Sequence, residues 1–298
     1  MKSSSAKPPS SPTEVLTQTA TDGAPQGPGT ARPWARRRTT LALAAGVVLL
    51  TACAAPHTAF DVTHVRHILA PTGVLRVGVY PGSPTSLVRG PGEQEMRGVT
   101  VEVGRAMADQ LQLRADILVF ERVAEVIDAL KQGHVDMTIT NATPARATEV
   151  DFTPALMGLE LGLLVPAGSA LSTVEAMDQT GLRIGVSQGS SSQAALGARL
   201  KAARLVPAPS LNAAAHLLRT GQIDAFATNK GILFELADQV PGSRVLSGRW
   251  GLESLALAIP KGRTQAREWV QNFVREASAS GLVSRAAERA GLRGMVTP

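Results

Sequence analysis

The side chains best suited to chemistry lie in one run, His134-Val-Asp-Met-Thr-Ile-Thr-Asn-Ala-Thr-Pro-Ala-Arg-Ala-Thr-Glu-Val-Asp-Phe-Thr153. Val135 to Thr140 is β-rich and predicts a strand, and Asn141 is a turn former. Thr143-Pro144 carries the pattern of a helix N-cap followed by the first helical residue, which sets Arg146 just inside a helix. Free N–H groups at a helix start, with Thr and Asn side chains and a guanidinium, make a place to hold an anion. The plain alternative is a strand–turn–helix connection with a solvated arginine. A second set of donors, Ser187-Gln-Gly-Ser-Ser-Ser-Gln193, follows a predicted strand at Leu182–Val186 and precedes a predicted helix. With no histidine at a convincing place nearby, Ser190 and Ser191 read as anion-binding donors, not as nucleophiles.

Other chemistry finds little support. His57, His64, His67, His134 and His216 are scattered, and the His64/His67 pair has no further ligands beside it, so no metal is expected. Glu149 and Asp151 read as helix-end acids facing solvent or pairing locally. Gly185-Val-Ser-Gln-Gly189 has the letters of a Gly-x-Ser-x-Gly elbow but no histidine at a convincing place beside it, and no phosphate-binding glycine loop occurs. We therefore expect no catalytic residue and no cofactor. With one cysteine, no intramolecular disulfide can form.

The elements that must position these residues come in two similar sets. Val74–Tyr80 alternates as a strand, Val99–Leu111 is an amphipathic helix, Ala115–Phe120 a strand, and Val123–Leu130 a helix closed by Gly133. Leu159–Val165 is another strand. The order then repeats: Leu182–Val186, a polar turn, a helix to about residue 203, a short strand at Leu205-Val206, a helix at Leu211–Arg219 ending at Gly221, and a strand at Ile223–Thr228. His134-Val-Asp136 and Gln222-Ile-Asp224 occupy equivalent places. Ser254–Pro260 is a strand, and Thr264–Ala279 and Val283–Ala290 are helices. Two α/β units of one design predict two lobes. Ligands of open α/β sheets sit beyond the carboxyl ends of the strands, so Arg146 and the Ser190/Ser191 turn should converge on one ligand in a cleft.

Charge is local. The formal net charge is +6, but residues 1–53 hold six of the basic and two of the acidic residues, which leaves +2 for the rest. With 3% aromatic residues and no basic patch, a nucleic-acid partner is not expected. Residues 1–33 are rich in Ser, Thr, Pro, Gly and Ala and read as disordered. Arg36-Arg37-Arg38 precedes the apolar run Leu41–Leu50, long enough for a signal sequence and too short to span a bilayer. Its end, Leu50-Thr51-Ala52-Cys53, resembles a bacterial lipobox, at which Cys53 would be lipid-modified. Arg37-Arg38-Thr39-Thr40-Leu41 weakly resembles a twin-arginine export motif. The domain reading is a leader with lipoprotein signal over 1–53, a tether over 54–72, a first lobe from 73–159 with 254–298, and a second lobe over 160–253.

Leu75-Arg-Val-Gly-Val, Arg97-Gly-Val-Thr-Val-Glu-Val, Ala129-Leu-Lys-Gln-Gly-His-Val-Asp, the Thr143–Thr153 run and Gly185-Val-Ser-Gln-Gly-Ser-Ser together resemble the family 3 extracellular solute-binding proteins, over nearly all of residues 73–294. The resemblance implies an α/β, two-lobed type II periplasmic-binding-protein fold, each lobe an open, mostly parallel sheet flanked by helices. Two crossover strands would lie near Gly158–Leu161 and Gly251–Leu255. It implies a monomer that captures a small carboxylate, an amino acid or related organic acid, and delivers it to an inner-membrane ABC permease. The place would be the periplasm or cell envelope, with the membrane reached through a lipid anchor on Cys53. Carried over residue by residue, Arg146 would pair with the ligand carboxylate and Ser190 and Ser191 would cap it. Thr140 and Asn141 would donate beside it. Two positions depart from the family. Asn229 stands where an acid often receives the ligand ammonium, and Val123 stands where an aromatic usually covers the ligand, leaving Tyr80 as the nearby ring. The carboxylate end is thus kept and the ammonium end weakened, which tilts the expectation toward a carboxylate without an amine. The alternatives are an exported cyclohexadienyl dehydratase-like enzyme, with Glu160 as the acid of raised pKa, and a sensory binding module.

Overall fold

The structure, a computed structural model, describes residues 61–90 and 95–296. The expected export signal and Cys53 lie outside the described residues. The stretch expected to be a tether is, from Asp61 on, something else. Asp61 caps helix α1 (Val62–Leu69) by accepting from the amides of Thr63 and His64, and Val65 and Leu69, one turn apart, are buried. The expectation of a patternless linker is corrected there: an i, i+4 apolar pair behind a strong cap suffices to dock one short helix on the core.

The first lobe then builds outward from β1 (Leu75–Val79). A hairpin of β2 (Val88–Arg89) and β3 (Met96–Arg97) leads to α2 (Val99–Gln110), which returns the chain to β4 (Ala115–Val119), parallel to β1. Gly98 enters α2 with φ 151°, and a Cβ on it would stand 2.1 Å from the Ser86 carbonyl oxygen, so only glycine fits. Helix α3 (Val123–Lys131) closes on Gly133 at φ 71°. Strand β5 (Thr138–Asn141) and the one-turn helix α4 (Pro144–Ala147) follow.

Strand β6 (Val150–Val165) is one continuous strand, where the sequence suggested a unit closing at Phe152 and a separate strand from Leu159. Pro154 interrupts the ladder without ending the strand, and the register beside it slips at Leu255/Ala256 and Ala256/Ala258. The second lobe repeats the first: β7 (Arg183–Ser187), α5 (Ser191–Arg199), β8 (Arg204–Ala208), α6 (Leu211–Arg219) and β9 (Ala225–Asn229), with β7 parallel to both β8 and β9. Helix α7 (Lys230–Gln239), not anticipated, starts directly at Asn229, whose side-chain oxygen accepts from the Ile232 amide. After β10 (Arg244–Val245), β11 (Gly251–Pro260) returns antiparallel to β6 and to β5. Helices α8 (Arg267–Ala279) and α9 (Leu282–Arg289) and strand β12 (Met295–Val296), which pairs with β6 at Leu159, complete the order. The parallel ladders lie within the lobes, while β6 and β11 run antiparallel through both, with Gly251 opposite Leu161 and Ser254 opposite Gly158.

Each lobe has its own apolar interior. Leu75, Val77, Met107, Leu257 and Phe273 share one core. In the second lobe, Leu218, Phe226 and Leu233 fill one side of the sheet, and Ile184, Val186 and Leu196 the other. Each lobe also carries the same staple. Arg76 donates from its amide, Nε and Nη2 to Asp136 and from Nη2 to the Gly133 carbonyl. Arg183 does the same with Asp224 and the Gly221 carbonyl. The recurring Val/Ile-Asp of the sequence is therefore half of a bidentate clamp that joins the first strand of a lobe to the segment leading into its third.

Candidate functional site

Thr140, at the end of β5, and Arg146, in α4, meet because α4 is a single turn. The Thr143 hydroxyl caps it by accepting from the Arg146 amide at 3.2 Å, and the chain folds back so that Arg146 Nη1 donates to Thr140 Oγ1 at 2.8 Å and to the Asn141 carbonyl at 3.3 Å. Among the described residues, no carboxylate is ion-paired with Arg146. Burial pulls its pKa below the ordinary arginine value, opposed by the charge of Glu253, then Tyr80 and Glu149. It is a desolvated cation without an anion.

The facing lobe supplies Ser190 and Ser191 at the start of α5. The Ser190 oxygen is committed as the helix cap, accepting from the Gln193 amide at 3.1 Å. Ser191 Oγ accepts from Asn141 Nδ2 at 3.2 Å, across the cleft, and donates to Glu253 Oε1 at 3.0 Å. Asn141 Oδ1 in turn accepts from the Ser254 amide at 3.1 Å. Asn229, at the end of β9, is buried and donates from Nδ2 to Glu253 Oε2 at 3.0 Å. Tyr80 sits against the second lobe's core. Burial pushes its phenol pKa up, offset in part by a hydrogen bond with Ser83. All seven residues singled out from the sequence, Tyr80, Thr140, Asn141, Arg146, Ser190, Ser191 and Asn229, line one cavity of about 40 Å³.

Sequence reasoning missed Glu253. Only 6% exposed, it projects from β11 into that cavity. Burial pushes its carboxyl pKa up, against the hydrogen bonds from Ser191 and Asn229 and the charge of Arg146. The expectation that the ammonium end lacks a counter-charge is corrected: a carboxylate stands in contact with Asn229, on a different strand. The signal was legible. Glu253, Leu255 and Leu257 alternate along β11, so the period that buries the two leucines turns Glu253 the same way.

Glu160, expected as an acid of raised pKa, is instead ion-paired with Lys230 at 2.6 Å and Arg249 at 3.3 Å. The Lys230 bond holds its carboxyl below the ordinary value, and it is not among the cavity-lining residues. Val123 does line the cavity, without any aromatic cover of its own. At the mouth, Arg122 is paired with Glu125 at 2.8 Å and reaches the Pro209 carbonyl of the other lobe at 3.4 Å. The lobes also approach where Gly189, at φ 71°, meets α3: a Cβ on it would stand 2.6 Å from the Ala124 Cβ.

A model of the bacterial extracellular solute-binding proteins, family 3, matches residues 75–291. The ABC transporter glutamine-binding protein GlnH of Bacillus subtilis is 23% identical over 204 residues, covering 65% of this chain and 72% of that protein. Among solved structures, a putative ABC-transporter binding component from Wolinella succinogenes complexed with lysine superposes with a TM-score of 0.65 at 21% identity, over 73% of this chain and 95% of that one. The solute receptor for L-cysteine of Neisseria gonorrhoeae gives 0.67 at 23% identity, over 76% and 92%. An ancestral amino acid-binding protein, a precursor of cyclohexadienyl dehydratase, gives 0.66 at 22% identity, over 76% and 98%.

Proposed function

Since the chain belongs to the bacterial extracellular solute-binding proteins, family 3, we propose that it is the capture component of an ABC importer and that its ligand is an α-amino acid. One observation carries this. Arg146 and Glu253 line the same cavity, a guanidinium and a carboxyl within reach of each other's charge but, among the described residues, not joined in an ion pair. Two desolvated opposite charges held apart are costly when empty and favourable when a molecule of reversed polarity lies between them. A zwitterion has that polarity, with its carboxylate toward Arg146 and the free donors at the start of α5, and its ammonium toward Glu253. Asn229, whose amide nitrogen donates to Glu253 while its oxygen caps α7, positions the acceptor. The tilt toward a ligand without an amine is therefore withdrawn.

The rest of the reading follows the family. Residues 73–159 with 254–298 form one lobe and 160–253 the other, closing on the ligand about β6 and β11. The protein is exported, anchored through a lipid on Cys53, and acts as a monomer presenting its closed form to an inner-membrane permease. Helices of the described residues are all too short or too polar to cross a membrane, so an anchor would have to come from elsewhere in the chain.

A thermal-shift screen followed by calorimetry tests the ligand class, because a molecule that binds only the folded state raises its apparent stability. We expect at least one L-amino acid to bind and its 2-oxo and 2-hydroxy analogues to bind at least about a hundredfold more weakly, since they leave Glu253 unpaired. Equal binding of the deaminated analogue would defeat the proposal.

A further inference from the structure

The two charges of the cavity are both used by the backbone groups of an amino acid, so the remaining walls decide which side chain is accepted. Part of those walls is made of hydroxyls without partners. Ser192 Oγ is fully buried, lines the cavity and makes no hydrogen bond. Ser187 and Thr228 also line it, at 8% and 4% exposure, and among the described residues neither hydroxyl takes part in a hydrogen bond. Extending the β7–β9 register by two residues from Gly185 opposite Phe226 sets Ser187 opposite Thr228 at the strand ends. Ser192 stands one residue into the helix that follows β7. A buried hydroxyl without a partner is unusual in a folded protein, where such groups are nearly always paired, and here it stands beside two more that are unpaired and open to the same cavity.

Resting on the amino-acid reading above, we infer that this hydroxyl cluster is the side-chain subsite and that the protein selects a small, neutral, hydrogen-bonding side chain: an alcohol, a thiol or a short amide. A cationic or anionic side chain would need a third buried charge opposite it. The only other charged residues on the lining are Glu121 and Arg122 at the mouth; the first is exposed and the second is engaged with Glu125 and the Pro209 carbonyl. A large aromatic or long aliphatic side chain would set apolar carbon against these hydroxyls and leave them unpaired. A methyl-only side chain fits but leaves the three hydroxyls unpaired.

The test uses the purified protein and matched ligands. L-threonine, L-serine, L-cysteine and L-asparagine are titrated beside L-alanine, L-2-aminobutyrate, L-lysine and L-glutamate. We expect the best polar ligand to bind at least about tenfold more tightly than its apolar isostere, the loss that follows from leaving a buried hydroxyl unsatisfied. Ser192→Ala combined with Thr228→Val should erase that difference, and a cooperative thermal unfolding transition shows that the variant is folded. If L-2-aminobutyrate matches L-threonine, or if L-lysine or L-glutamate binds tightest, the subsite is not as inferred although the amino-acid reading stands. If no amino acid in a full panel binds, and binding of any other hit ignores Arg146→Ala, both fail.

Discussion

The two lobes share a staple and differ in how deeply it is set. Arg76–Asp136 and Arg183–Asp224 make the same four kinds of bond, with the closest ion-pair distance 2.8 Å in each. The Asp136 side chain is fully buried and takes a second arginine, Arg263, at 2.9 Å, whereas the Asp224 side chain is 32% exposed and has one. Arg263 follows β11, so the first lobe's staple also fastens the returning chain. The second lobe's staple fastens only its own strands. A repeated local motif therefore carries two different duties, and the difference comes from what the chain brings back to it.

Replacing each aspartate should expose that difference most sharply. Asp136→Asn leaves two arginines facing one neutral amide in a dry site and should cost about 3–5 kcal/mol. Asp224→Asn, partly solvated, should cost about 1 kcal/mol. Thermal denaturation of both variants gives the comparison, and equal losses would show that the second arginine adds nothing.

The lobes also differ in what they give the cleft, a cation from the first and hydroxyls from the second. Arg146→Ala should weaken ligand binding by about 2–5 kcal/mol, and Arg146→Lys nearly as much if both guanidinium nitrogens are used. Ser191→Ala, removing one neutral donor, should cost about 1 kcal/mol. Calorimetry on the three variants would contradict this ranking if the serine change were the more damaging.

Asn229→Asp probes the border between the second lobe and β11. The new carboxylate would stand where an amide nitrogen now lies 3.0 Å from Glu253 Oε2. Like charges at that distance resist joint ionisation, so amino-acid binding should weaken roughly tenfold at neutral pH. Tighter binding by this variant would mean that Asn229, not Glu253, is the place for the ammonium.

The smallest effect is a pH slope, and its sign differs between two acids. Glu253 is raised by burial, so the folded, ligand-free protein keeps a proton that the unfolded chain has lost. Stability therefore falls as pH rises from the ordinary carboxylate range through the raised value, and Glu253→Gln should flatten that fall. Asp224 is lowered by the Arg183 hydrogen bond, so its contribution is present above the ordinary value and is lost as pH drops through the lowered one. Unfolding curves across pH for the wild type, Glu253→Gln and Asp224→Asn would separate the two slopes, and a Glu253→Gln curve parallel to the wild type would refute the first.

Much of this was legible beforehand where local signals agreed. Helix α6 runs over the predicted Leu211–Arg219 because Ser210 caps it and Gly221 lies just beyond its end. The Thr143-Pro144 start placed Arg146 correctly because a capped single turn leaves it little freedom. Failures came where tertiary pairing outweighed local pattern. Pro154 suggested a break, yet β11 on one side holds β6 through it by allowing bulges. Helix α7 opens Lys230-Gly231, a weak start that Asn229 makes viable by capping. Glu253 was overlooked because it departs from the position where an acid was expected, and strand alternation alone does not say which cavity an inward side chain meets.

Gly189 has one more implication. An added carbon at that spot would collide with the Ala124 methyl in the arrangement described, and if the lobes part as proposed above the collision would be absent from the parted form. Bulk there would then weaken the hold on every guest by the same factor, since the collision involves neither the charges nor the hydroxyls that distinguish one guest from another. The grip on a guest and the choice of guest would thus be written in separate residues.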